Sequence, residues 1–86
     1  MPVKIALSIK EVDFSHIKEP MVVVYDHPSD YPEYYIARIF NGDKPTDTIM
    51  IKDTLREIQE DIRSNTDMIF VLRGEEDDTC IVGVWL

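Results

Sequence analysis

Cysteine is almost absent: Cys80 stands alone among 86 residues, so no internal disulfide and no cysteine-rich zinc site can form. Glycine is nearly as scarce. Gly42, Gly74 and Gly83 lie far apart, and none belongs to a P-loop, a GxGxxG turn or a GxSxG elbow. No uncharged apolar run approaches the ~18 residues of a membrane-spanning helix. The start, Met1-Pro2-Val3-Lys4-Ile5, lacks the unbroken apolar stretch of a signal peptide, so a cytoplasmic location is expected. Positive charge is the other deficit. Nine Lys and Arg face seventeen Asp and Glu, a formal net charge of −8. Such a surface repels phosphate backbones and anionic headgroups, so neither a nucleic-acid nor a membrane partner is expected. A small basic protein would be attracted by the same field.

What is present reads as one globular domain over residues 1–86. The hydrophobic fraction is 44%, close to the globular norm, and a chain of this length buries only a modest core. Val3, Ile5, Leu7 and Ile9 alternate with Lys4, Ala6, Ser8 and Lys10, which predicts a half-buried strand. Glu11 to Pro20 reads as a connector. Met21 to Tyr25 is a β-branched strand, and Asp26 to Glu33, with Pro28 and Pro32, is a loop. Tyr34 to Phe40 is the next strand, with Tyr35, Ala37 and Ile39 on one face and a partly exposed Arg38 on the other. Asn41-Gly42 turns the chain, and Thr48 to Lys52 is a short strand. Thr54 and Glu57 have capping-box spacing. The helix they open places Leu55, Ile58 and Ile62 on one side and pairs Arg56 with Glu60. Met68 to Arg73 and Cys80 to Leu86 form the last two strands, with Val82 and Val84 expected on one face, Ile81 and Trp85 on the other. The predicted fold is α+β: a mainly antiparallel sheet of about five to six strands, with one main helix near residues 54–64 packed on one face.

Three groups of residues invite a chemical reading. Asp26, His27, Asp30 and Glu33 share a loop and could in principle hold a divalent metal. Their spacing matches no metal motif, and no catalytic residue, cofactor or metal is assigned. Tyr31 and Tyr34 flank the same loop and are candidates for contact with a protein partner. Glu75, Glu76, Asp77 and Asp78 read as a solvated hairpin tip or as a charged contact for a basic partner. Cys80, within an apolar run, is expected to be buried and inert. Ser15-His16 is adjacent in sequence, which alone makes no nucleophile–base pair.

Met21-Val22-Val23-Val24-Tyr25, Tyr34-Tyr35-Ile36-Ala37-Arg38-Ile39 and Asp53-Thr54-Leu55-Arg56-Glu57-Ile58 together resemble the HicB antitoxin pattern. The resemblance covers about residues 21–64. It implies a degenerate RNase-H-like fold, a small sheet carrying a helix with no catalytic metal site. It also implies a partner, a small basic RNA-cleaving toxin neutralised by being covered. The family's Pro-Gly-Cys type turn is here Asn41-Gly42-Asp43-Lys44-Pro45. The family's DNA-binding helical extension has no counterpart before Leu86, so direct repression of transcription is not expected. The function expected is therefore that of a non-enzymatic protein-interaction module, antitoxin-like. The alternative is a small metal-dependent or small-molecule-binding enzyme using the Asp26–Glu33 loop. The last two strands are apolar on both faces, and one helix covers one face, so a homodimer is a further expectation.

Overall fold

A computed structural model of the chain describes residues 3–74 and 79–86. Among these, strands β1 (Lys4–Ala6), β2 (Pro20–Asp26), β3 (Tyr35–Asn41), β4 (Lys44–Lys52), β5 (Phe70–Leu72) and β6 (Ile81–Trp85) form one sheet. Their order across the sheet is β1-β4-β3-β2-β6-β5. All neighbours are antiparallel except β1 and β4, which run parallel. Helix α1 (Leu55–Asn65) packs on one face. This is the α+β arrangement the sequence predicts.

Two rows of register partners cross all six strands and explain the layering. Leu72, Gly83, Val24, Ala37, Met50 and Ala6 lie side by side on the helix face. Three of them, Gly83, Ala37 and Ala6, are small and let the helix approach. Ile58 and Ile62 from α1 then bury fully against Val22, Val24, Ala37, Ile39 and Met50, each buried side chain contributing about 1.5–3 kcal/mol. Val12, Phe14 and Ile17 of the connector join the same cluster, so the helix shares its cover with the N-terminal segment. Trp85 is buried there, and its indole N–H donates to Gln59 Oε1 at 2.9 Å. The second row, Val71, Val84, Val23, Arg38, Ile49 and Ile5, lies on the opposite face, where no helix packs.

The helix starts where its cap dictates. Thr54 Oγ1 accepts from the Glu57 amide at 3.2 Å and donates to Glu57 Oε1 at 2.9 Å. At the other end the amide and hydroxyl of Thr66 both bond the Ile62 carbonyl, at 3.0 and 2.8 Å. Arg56 and Glu60 pair on the solvent side at 3.0 Å.

Four local expectations are corrected. The N-terminal strand is only Lys4–Ala6, and a 3₁₀ turn, Ile9–Glu11, follows. Side chains pull the chain off the sheet: Asp61 accepts from the Ile9 amide at 2.8 Å and from Ser8 Oγ at 3.1 Å, and Lys52 Nζ takes the Leu7 carbonyl at 2.6 Å. Strand β4 begins at Lys44 rather than Thr48. Gly42, at φ 61°, takes the first central position of a tight hairpin turn, a place that favours glycine. Beyond it, β4 carries two extra residues between Pro45 and Ile49, because Phe40 faces Pro45 and Arg38 faces Ile49. The Thr46 hydroxyl bridges that bulge, donating to Ile39 O at 2.8 Å and accepting from Thr48 N at 3.2 Å. In β6, Gly83 faces Val24 but Ile81 faces Tyr25. Val82 is the bulged residue and turns to the helix-side core, so it does not share a face with Val84. Cys80 is half-buried rather than buried.

Candidate interaction surface

The helix-free face is built from the β-branched and aromatic residues that strands favour. Val23, Ile36 and Ile49 on it are buried, while Tyr25, Phe40, Ile51 and Val84 are half-buried. Arg38 is the one charged side chain in its cross-sheet row. Its stem lies between register neighbours Val23 and Ile49, so it shields apolar surface while its head stays wet. Arg38 Nη2 reaches Asp30 Oδ2 at 3.4 Å, an exposed pair worth about 0–1 kcal/mol.

Asp30 is presented by the loop between β2 and β3, which folds over this face. His27 enters the loop at φ 47°, the only described residue other than glycine with a positive φ. Its ring contacts the Asp26 carboxylate and packs edge-on against Tyr35, with ring centroids 4.8 Å apart. The Tyr31 amide bonds Pro28 O at 2.9 Å, and the His27 amide bonds Tyr34 O at 3.1 Å, which closes the loop on itself. Pro28 and Asp30 then meet Tyr25, Ile36, Arg38, Phe40 and Pro45 around an open groove of about 260 Å³.

The loop residues named from sequence separate into different tasks. Asp26 holds His27, Asp30 faces Arg38, and Glu33 is exposed. Among the described residues no three His, Cys, Asp or Glu side chains gather closely enough to hold a metal ion. Tyr31 and Tyr34 are half-buried at the rim of the loop. Glu75, Glu76, Asp77 and Asp78 lie outside the described residues.

A second groove, about 510 Å³, runs between β1, β4 and the connector, with Lys4, Glu11, Asp13, His16 and Asp47 at its lip. Here Ser15 turns to Asp13, not to His16: its amide donates to Asp13 Oδ1 at 2.9 Å. Hydrogen bonds from the Ser15 side chain and amide hold the Asp13 carboxyl below its ordinary value, with nearby His16 adding a little. His16 Nε2 stands 3.7 Å from Asp13 in open solvent.

The feature that sequence reading missed is the placement of exposed apolar side chains. Val3, Ile5, Leu7, Ile69, Val71, Leu72 and Leu86 are all exposed, and all belong to β1, β5 or the residues flanking β1, β5 and β6. Ile5 and Val71 end the helix-free row, and Ile69 pairs with Leu86 through two backbone bonds of 2.9 Å, two residues along from the Val71–Val84 pair, so both continue that face. Alternation in Val3-Ile5-Leu7 and in Ile69-Val71 signals the shared face; only the strand order places these residues at opposite margins. No family model matches the chain, and neither a curated protein nor a solved structure matches it.

Proposed function

We propose that this protein is a non-enzymatic interaction module that docks a protein partner on the helix-free side of its sheet, in the manner of an antitoxin. One observation carries the reading. Ile5, Ile69, Val71 and Leu86 leave exposed apolar surface at both margins of the helix-free face, and exposed apolar surface of this kind marks an interface. The net charge of −8 favours a basic partner by steering its approach. The resemblance of residues 21–64 to HicB domains makes a small basic RNA-cleaving protein the first partner to test. Tyr31 and Tyr34, on the loop that folds over this side, are the aromatic anchors of the proposed contact.

Affinity capture from the native cell, quantified by mass spectrometry, tests the reading. The expected result is one small basic protein in equal amount, lost when Tyr31→Ala and Tyr34→Ala are combined and weakened by salt. Calorimetric titration with divalent metals gives the opposing outcome. Micromolar metal binding that disappears in His27→Ala, with no stoichiometric protein captured, would replace this reading with the metal-dependent one.

A further inference from the structure

A sheet ends in two edge strands, and each offers a row of backbone N–H and C=O groups for pairing unless something blocks it. The two edges of this sheet differ. Strand β1 carries Lys4, and its run stops at a 3₁₀ turn after the Leu7 carbonyl has been taken by Lys52 Nζ. Among the described residues, β5 carries no lysine or turn of this kind. It lies in Met68-Ile69-Phe70-Val71-Leu72, five apolar residues without lysine, proline or glycine. Ile69, Val71 and Leu72 are 70%, 49% and 74% exposed.

The hydrogen bonding of β5 fixes which groups are open. Ile69 exchanges both backbone bonds with Leu86, and the Arg73 amide donates to Val82 O at 3.2 Å. Odd-numbered residues therefore face β6, and by alternation Phe70 and Leu72 direct their amides and carbonyls away from the sheet, as Met68 does its carbonyl, while the Met68 amide is held by Thr66 Oγ1 at 3.2 Å. A second strand can pair there only through these even positions.

We propose that this open edge pairs with β5 of a second copy, antiparallel about a two-fold axis at Phe70, joining two sheets into one. The sequence around the axis is self-complementary. Asp67 and Arg73 each stand three residues from Phe70, so each Asp67 meets the other copy's Arg73. Both are exposed, and neither makes an ion pair among the described residues. The same register makes Phe70 face its own copy through two backbone hydrogen bonds and brings each Leu72 amide to the other copy's Met68 carbonyl. Ile69 and Val71 meet in the intervening, closer pairs. The charge match and the hydrogen-bond parity thus select one register, and a two-fold contact of this kind closes at a dimer. This inference concerns the backbone edge of β5 and shares Ile69 and Val71 with the partner-docking face above, but sedimentation of the isolated chain and capture of a basic partner read the two separately.

Sedimentation of the full chain across a wide concentration range reads the association directly. A reversible dimer of the 10.0 kDa chain is expected. Leu72→Lys, at an exposed position that should leave the fold intact, is expected to weaken it by at least about tenfold, since edge lysines oppose pairing. Asp67→Arg alone and Arg73→Asp alone each turn two attractive pairs into repulsive ones, and each should weaken self-association by about tenfold. Mixing those two variants is decisive, because each hetero-pair then meets two opposite charges, and the mixture should regain the native affinity. Amide exchange supplies a readout independent of any variant: Phe70 and Leu72 should become protected only as the dimer forms, while Ile69 stays protected throughout. A monomer at every concentration overturns the proposal, as does a dimer indifferent to Leu72→Lys and to the charge exchange.

Discussion

Gly83 is the residue on which the β5–β6 pairing turns, and Gly83→Ala is the sharpest test of the fold. A Cβ built at this position would stand 2.5 Å from the Val71 carbonyl oxygen and 2.5 Å from Phe70 Cζ, with Phe70 Cε1 at 2.8 Å. The ring can rotate away, but the carbonyl belongs to the backbone of β5. Moving it means moving the strand, and among the described residues β5 has only β6 as a sheet neighbour. Phe70 would also leave Trp85, against which it lies with ring centroids 5.2 Å apart. Overpacking of this sort costs about 1–3 kcal/mol, and the lost aromatic pair adds about 0.5–1.5 kcal/mol.

The expected destabilisation is therefore about 1.5–4.5 kcal/mol, a large share of the ~5–15 kcal/mol that holds a small domain together. In a thermal melt followed by circular dichroism, each kcal/mol should lower Tm by about 4–8 °C for a chain of this size. Combining Gly83→Ala with Phe70→Leu separates the two clashes. The smaller side chain should relieve the ring contact and leave the carbonyl contact, so the double variant should be less destabilised than the two single changes added together. A Gly83→Ala protein within about 0.5 kcal/mol of the native one would refute the close approach of β5 to β6 and the placing of Phe70 over Gly83.

Thr54→Ala should cost about 1 kcal/mol in denaturant unfolding, because the Glu57 amide loses its acceptor. Asp61→Ala should cost about 2–3 kcal/mol, since the Ile9 amide and Ser8 hydroxyl lose a charged acceptor, and Asp61→Asn should recover part of that loss. Arg38→Met, which keeps an apolar stem, should cost less than about 1 kcal/mol, and Arg38→Ala clearly more, because it uncovers Val23 and Ile49; equal losses would show that the Asp30 pair matters more than the stem. By NMR titration Asp13 should lose its proton below the ordinary 3.8, so whatever stability it lends is complete above that value and fades as pH falls through the lowered midpoint; Ser15→Ala should move the midpoint back up.

Local chemistry made much of the fold legible from sequence. Thr54 and Glu57 marked the helix start because a cap is a contact between near neighbours in the chain. Asn41-Gly42 marked the hairpin because few residues other than glycine adopt the required φ freely. Tyr35, Ala37 and Ile39 shared a face because alternation is a property of the strand itself. The failures came where a distant side chain intervened. Nothing near Ile9 announces that Asp61, on the helix, will claim its amide and end β1. The bulge at Val82 depends on how β6 meets β2, so simple alternation assigned Val82 to the wrong face. Thr46 carries β4 past Pro45 by reaching the Ile39 carbonyl, which becomes a neighbour only after the hairpin has formed. At the candidate surface, the loop and its tyrosines could be named from composition, but the strand order that brings β1 and β5 to the margins could not.

The contrast between the two faces explains why apolar residues remain exposed. On one side, small residues at Gly83, Ala37 and Ala6 leave depth, and α1 with the connector fills it. On the other side the row is Val71, Val84, Val23, Arg38, Ile49 and Ile5, broad side chains with one long stem laid across them. The β2–β3 loop reaches the part around Tyr25, Ile36 and Arg38, and Arg38 shields Val23 and Ile49. Neither reaches the margins, so exposure on this face concentrates at Ile5 on β1 and at Ile69 and Val71 on or beside β5. An occupant of these margins has to bring apolar side chains or a strand, because the side chains left exposed there are largely aliphatic. In the proposed reading the net charge raises the rate at which a basic partner arrives, whereas the β5 edge is the proposed seat of a second strand.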